Sequence, residues 1–271
     1  MTVRRALALL AATALLLAGC ADQSAHPHDP PAGPQLPPAG AQLDYQLGGA
    51  YDPPDGVDIV VRDRTAASID DLHSVCYVNG FQTQPGELDA WPDDLLLRDD
   101  EGQPIIDPDW PDEVILDTRK ARDIAKVVEP WIRDCASDGF DAVEFDNLDT
   151  YTRTGGALSR DDALNLATLL VDIAHDVGLA AGQKNAAEDA SFLHSRAGFD
   201  FAVVEECAAY EECSAYTEVY GDHVLAIDYT DNLPRPWDEV CADPVTPASV
   251  VLRDRDLVTP DDPGYVFETC G

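Results

Sequence analysis

The chain has 271 residues, enough for one sizeable domain or two small ones. Hydrophobic residues make up 45% and aromatics 7%, a balance that excludes wholesale disorder and collagen-like repeats. Seventeen Lys and Arg against 52 Asp and Glu give a net charge of −35, which repels phosphate backbones, argues against nucleic acid as a partner and favours cationic ligands.

The N-terminus reads as an address. Arg4 and Arg5 precede an apolar run, Ala6 to Ala18, broken by Thr13; this is a charged region followed by a hydrophobic region too short to remain as a membrane-spanning helix. It ends in Leu17-Ala18-Gly19-Cys20, which resembles the lipobox of bacterial lipoproteins. Residues 1–19 are therefore expected to be a signal peptide and Cys20 the lipidated first residue of an exported protein. It would be held on the outer side of the bacterial cell membrane by its lipid anchor only. Loss of residues 1–19 makes the charge two units more negative. Residues 20–41 are Pro-rich and lack apolar periodicity, as in a semi-rigid tether, where His26 and His28 read as solvated rather than metal-binding. The folded domain is expected over 42–271.

Without Cys20, six cysteines remain, an even number that suits disulfides in an exported chain. Cys207 and Cys213 enclose a short loop, Cys241 and Cys270 would staple the C-terminal end, and Cys76 and Cys135 remain. Six cysteines allow about 15 arrangements, so connectivity stays open. No CxxC or Cys/His spacing points to a thiolate metal site, and no metal or cofactor is expected.

Short apolar runs of strand length recur at Val57–Arg62, Ser74–Asn79, Asp94–Arg98, Asp141–Asp146, Leu179–Lys184, Asp200–Glu205, His223–Tyr229 and Ser249–Arg253. Helical spacing appears between them over Thr118–Ser137 and Asp161–Val177, the second opened by a Ser159/Asp162 capping box and closed by Gly178. Strand–helix alternation means a parallel sheet. Eight strands without a Gly-rich phosphate loop predict an α/β fold, a single (β/α)8 TIM-type barrel, with an open doubly wound sheet as the alternative. A monomer is expected.

Barrel sites lie at the C-terminal strand ends. Those ends carry Asp63, Tyr77, Asn79, Glu144, Asp146, Asp149, Lys184, Asn185, Glu205, Asp228 and Tyr229. In GFDAVEFDNLDTY (139–151) alternation points Glu144 and Asp146 to one face and Phe145 to the other. Glu205 closes the apolar run of FDFAVVEEC (199–207) and could face Asp146 across the mouth. Two carboxylates over one cleft are the basic equipment of glycoside hydrolysis. Blander readings accompany several of these residues: Glu144 as a positioning group deeper in its strand, Asp149 as a cap, Lys184 as an ion-pair partner, Arg62 and Asp63 as a structural ion pair. Asp107–Glu113 (DPDWPDE) reads as a solvated turn rather than a Ca²⁺ loop.

With CYVNG (76–80), DPDWPDEVILDTR (107–119), QKN (183–185) and YEEC (210–213), these segments resemble glycoside hydrolase family 114, the endo-α-1,4-polygalactosaminidase-like barrels. The resemblance implies hydrolysis of α-1,4-linked, partly deacetylated galactosamine polymers. It places Asp146 as nucleophile or base and Glu205 as general acid/base. Asp63, Tyr77, Asn79, Glu144, Asp149, Lys184, Asn185, Asp228 and Tyr229 are read as substrate-binding residues from their places at or beside the strand ends. Many relatives have Asn where Val204 stands. A polycationic aminosugar polymer would give the net charge a purpose. A catalytically silent polysaccharide-binding lipoprotein, a structural envelope role and a hydrolase of another α-linked polysaccharide stay open.

Overall fold

The structure is a computed structural model that describes residues 33–270. The signal peptide, Cys20, His26 and His28 lie outside the described residues. Eight parallel strands run in chain order: β1 (Leu43–Gln46), β2 (Ile59–Asp63), β3 (His73–Asn79), β4 (Ala142–Asp146), β5 (Ala180–Lys184), β6 (Phe201–Glu205), β7 (Val224–Tyr229) and β8 (Ser249–Arg253). A short antiparallel strand, β9 (Phe267–Thr269), pairs with β8. Helices α1 (Ala121–Ser137), α2 (Arg160–Asp176), α3 (Ala190–Ala197), α4 (Cys213–Tyr220) and α5 (Trp237–Cys241) fill the crossovers from β3 onward. This is the expected (β/α)8-type barrel, with loops in place of its first two helices and, among the described residues, β9 in place of the last.

Two cores follow from strand alternation. Leu43, Tyr45, Ile59, Val61, Val75, Phe201, Val203, Leu225, Ile227 and Val251 fill the barrel interior. Phe145, Val143 and Val204 face outward and pack with Leu166, Leu170, Ile124 and Val128 of the helices. Interior space is allotted by size. A Cβ at Gly182 would stand 2.6 Å from the Phe201 ring, so glycine there lets the ring fill the centre.

The capping box at Ser159 and Asp162 forms as expected and starts α2. Asp94–Arg98 does not form a barrel strand. Its first residues lie in a 3-10 turn, and Leu96 and Arg98 make only isolated antiparallel bridges to Leu116 and Pro104. They belong to a long excursion between β3 and α1. The missing strand is LDYQ, at Leu43–Gln46. Its two outward residues, Asp44 and Gln46, are polar, yet both are buried because arginines cover them.

Those arginines also close the barrel. β1 and β8 are neighbours without a backbone ladder between them. Arg253 crosses the seam from β8, donating to Asp44 Oδ1 at 3.0 Å and to the Tyr45 carbonyl. It also donates to the Val266 and Val258 carbonyls at 2.9 and 3.1 Å. Arg62 holds Gln46 Oε1 at 2.9 Å, and Gln46 in turn donates to Asp44 Oδ2 at 2.8 Å. Arg62 thus makes no pair with Asp63, whose carboxylate accepts from Gln84 Nε2 at 2.8 Å.

Disulfides join Cys76 to Cys135, Cys207 to Cys213 and Cys241 to Cys270. They tie β3 to α1, close the loop before α4, and tie α5 to the segment after β9. Residues 33–41, read as tether, lie along the barrel at least in part. Pro37 is buried, and its carbonyl is 3.0 Å from His223 Nδ1.

Removing the seam guanidinium strands the Asp44 carboxylate in a dry site. Arg253→Met is expected to cost roughly 3–5 kcal/mol in urea denaturation. A loss below about 1 kcal/mol would show that the seam is held by its other contacts.

Candidate active site

Three consecutive strands end in the same way. Asp146 ends β4, Lys184 ends β5 and Glu205 ends β6. The residue after each is left-handed: Asn147 at φ 66°, Asn185 at φ 46° and Glu206 at φ 58°. Such backbone is costly for residues other than glycine and persists where surroundings fix it. Here the fixing contacts are visible. Asn147 N donates to Asp146 Oδ1 at 2.7 Å, Asn185 N to the Val203 carbonyl at 3.0 Å, and Glu206 N to the Ile227 carbonyl at 2.7 Å. Gln183, facing the helices, donates to the Asn185 and Ala186 carbonyls and accepts from Tyr220 Oη at 2.6 Å. The abrupt turns leave the three side chains standing at the barrel mouth.

Lys184 Nζ lies 3.3 Å from Asp146 Oδ2 and 3.2 Å from Glu205 Oε2, and it donates to Tyr45 Oη at 2.9 Å. Its three N–H groups are thereby used, and the two carboxylates from separate strands converge on one cation. Each carboxylate has further donors. Tyr77 Oη donates to Asp146 Oδ2 at 2.8 Å. Tyr229 Oη donates to Glu205 Oε1, and Asn185 Nδ2 to Glu205 Oε2 at 3.2 Å. Burial would lower the Lys184 ammonium, but Asp146 and then Glu205 outweigh it and hold it well above its ordinary range. Burial would raise Glu205, but Lys184, then Tyr229 and Asn185, bring it below the usual carboxylate value.

Beneath them, Glu144 is wholly buried. Its Oε1 accepts from Tyr45 Oη at 2.9 Å, and its Oε2 has no partner among the described residues. Burial raises it to about 8, against the opposing pull of Lys184. Glu144 therefore stands protonated at neutral pH, and the charge of Lys184 is left to Asp146 and Glu205.

A cavity of about 470 Å³ opens above, lined by Asp63, Tyr77, Glu113, Asp146, Lys184, Glu205 and Tyr229 among others. A second lobe of about 380 Å³ adjoins it, sharing Trp110, Glu205, Tyr229 and Arg255 and adding Asp149 and Asn185. Ten of the eleven strand-end residues singled out in the sequence lie in, or directly behind, these two lobes. Asn79 is behind the first: it donates to Glu113 Oε2 at 3.0 Å, while its own Oδ1 accepts from Gln82 N. Glu144 is the floor. Asp149 reaches the second lobe but is already paired with Arg153 at 2.9 Å. Asp228 alternates away from Tyr229 and accepts a backbone hydrogen bond from Ala208, so it lines neither lobe.

Sequence reasoning missed Tyr45, Glu113 and Arg255. Glu113 sits in the DPDWPDE run, whose middle residues, 108–112, are an exposed turn as read but whose two ends are buried: Asp107 is fully buried between Gln82 and Arg153, at 2.7 and 2.8 Å. These contacts fold the run over the mouth, where Trp110 is 58% exposed and lines both lobes. Burial, helped by Asp146 and Asp107, raises Glu113 to about 7.

The sequence model of glycoside-hydrolase family GH114 matches residues 23–271. The fold matches that of Aspergillus fumigatus Ega3, solved in complex with galactosamine, at TM-score 0.69 and 21% identity over 83% of this chain and 96% of that one. It also matches the glycoside hydrolase domain of PelA from Pseudomonas aeruginosa, at TM-score 0.56 and 13% identity over 84% and 98% of the two chains. The α-galactosidase TtGalA from Thermus thermophilus, in complex with stachyose, follows at TM-score 0.50 and 12% identity over 84% and 64%. A comparison with proteins of curated function finds no match.

The buried carboxyl gives a pH signature. The folded value of Glu144, about 8, lies above its ordinary 4.5, so the unfolded chain ionises first. Its contribution to stability is full below pH 4.5 and is lost as pH rises towards 8. Glu144→Gln keeps the acceptor for Tyr45 and removes the titration. The melting temperature of the variant is expected to gain steadily on that of the parent between about pH 5 and pH 8. Parallel curves would show that Glu144 is ionised in the fold.

Proposed function

This chain belongs to glycoside-hydrolase family GH114, and we propose that it hydrolyses α-1,4-linked, partly deacetylated galactosamine polymers with Asp146 and Glu205 as its reacting carboxylates. The observation that carries this reading is their convergence on Lys184. Both oxygens lie within hydrogen-bond reach of one nitrogen, so they stand no more than about 6.5 Å apart. Retaining enzymes place their carboxyls roughly 5 Å apart and inverting ones roughly 6.5–9.5 Å, to admit a water. The geometry favours retention. Asp146 attacks the anomeric carbon as the glycosidic C–O bond breaks, and the proton of Glu205 goes to the leaving oxygen. Glu205 then removes a proton from the water that releases the sugar from Asp146.

The substrate class is supported by charge. The amine of a deacetylated galactosamine unit is cationic at neutral pH, and a −35 protein concentrates a polycation at its surface. Galactosamine is the ligand of the Ega3 structure. Export and lipid anchoring, read from residues 1–20, would place the enzyme outside the cytoplasm, where such polymers lie.

One observation favours a second assignment of the acid. Glu205 is held as a carboxylate in the free site, whereas Glu113 lines the same cavity with its proton retained to about pH 7. The pH profile separates the two. With Glu205 as the acid, kcat/KM is greatest on the acid side and falls as pH rises, because the protonated form is lost early. With Glu113 as the acid, the falling limb lies near pH 7 and disappears in Glu113→Gln.

Incubating the protein with partly deacetylated galactosamine polymer should release new reducing ends. Asp146→Asn and Glu205→Gln should each lower the rate by roughly 10²–10⁴-fold with an unchanged circular dichroism spectrum. Full rate in either variant would remove that residue from the mechanism.

Turnover of the same polymer should also decline as NaCl is raised from about 50 mM to 500 mM, since exposed charges are screened. A rate independent of salt would sever the link between net charge and substrate.

A further inference from the structure

We infer that the second lobe of the cleft holds an ammonium subsite built from Glu188, Glu212 and Tyr216, which binds the protonated amine of an aminosugar unit on the leaving-group side of the scissile bond. The inference deepens the function proposed above and rests on its roles for Asp146 and Glu205. The lobe contains Glu205 but not Asp146, so it extends on the side of the group that protonates the leaving oxygen.

The lobe has four carboxylates besides Glu205, and they are not equivalent. Glu206 is bound by Arg255 at 2.6 Å, and Asp149 by Arg153 at 2.9 Å. Glu188 and Glu212 pair with no cation among the described residues, although each lies in the field of the other. Burial and Glu188 together raise Glu212, the response of a carboxylate that lacks a positive neighbour.

The third member points to a ligand independently. Tyr216 is 2% exposed and lines the lobe, and its hydroxyl makes no hydrogen bond among the described residues. Its electrostatic neighbours are Glu212, then Glu188 and Asp149. The ring is held in the core, and its hydroxyl oxygen meets the open cavity, where a bound group can reach it. Two carboxylates and a phenol oxygen offer three acceptors, which match the three donors of a primary ammonium. An N-acetyl group in the same place would offer one N–H and an apolar methyl to two charges. The subsite therefore selects the deacetylated unit. A metal ion is a poorer fit, since no group of three or more His, Cys, Asp or Glu among the described residues is arranged to hold one.

The backbone makes the subsite rigid. Glu212 precedes α4 and Tyr216 lies on it, and the Cys207–Cys213 disulfide closes the loop between β6 and α4. Glu212 N donates to the Cys207 carbonyl at 2.9 Å. Tyr210, on the same loop, is 61% exposed and faces the lobe together with Trp110, as stacking surfaces for sugar rings.

The test compares the parent with Glu188→Gln/Glu212→Gln and with Tyr216→Phe, on galactosamine polymers of high and low acetylation, alongside calorimetric titration with galactosamine. The double variant is expected to lose about tenfold of the preference for the deacetylated polymer, mostly through KM, and Tyr216→Phe about threefold. An unchanged preference in the double variant, while the parent cleaves both polymers, overturns the subsite and leaves the proposed function standing. If the parent cleaves neither polymer yet binds galactosamine in a way that the double variant loses, the subsite stands and the catalytic reading fails. Absence of binding in the parent, with no cleavage, overturns both.

Discussion

One buried ammonium organises this protein. Lys184 is 2% exposed and would be expelled from such a place if it stood alone. It is retained because Asp146, Glu205 and the Tyr45 hydroxyl take its three protons. The converse matters equally. Two carboxylates on adjacent sides of a small cavity repel each other, and the shared cation makes their approach stable. The neutral Glu144 below completes the arrangement, because a third full charge would compete for the same cation.

The frame that holds this triad is stiff for reasons remote from chemistry. Left-handed residues directly after Asp146, Lys184 and Glu205 end three neighbouring strands alike, and backbone donors fix each turn. The interior below is filled by Phe201 against Gly182 and by Tyr45, whose hydroxyl joins the site to the core. Across the barrel, Arg253 replaces a backbone ladder with a guanidinium, so the closure of the fold depends on one side chain and the acid it neutralises. The barrel mouth and the seam thus use the same device, a buried cation satisfied by acceptors from separate strands.

The division of the cleft into two lobes follows from the excursion between β3 and α1. That segment has little regular structure, and its order comes from buried polar contacts such as Asp107 with Gln82 and Arg153. It brings Trp110 over both lobes and Glu113 beside Asp146. Read as composition, DPDWPDE is a hydrophilic turn; read as structure, it is the roof of the site.

By itself the sequence determined the strand–helix rhythm, the barrel, the shared face of Glu144 and Asp146, and the strand-end acids, because apolar periodicity and side-chain alternation are local properties of the chain. It misled where local pattern and burial disagree. Asp44 and Gln46 made β1 look unlike a strand, since only distant arginines allow them to be buried. DLLLR looked like one, although it pairs only through isolated antiparallel bridges to Leu116 and Pro104, outside the barrel. Asp228 shared the polar signature of a strand end but falls on the outward face of β7. Tertiary structure alone decided that Asp146 and Glu205 meet at Lys184, that Glu113 joins them, and that Glu188 shares a lobe with Glu212 and Tyr216. Those contacts join residues far apart in the chain, and their energies depend on burial, which no short window of sequence contains.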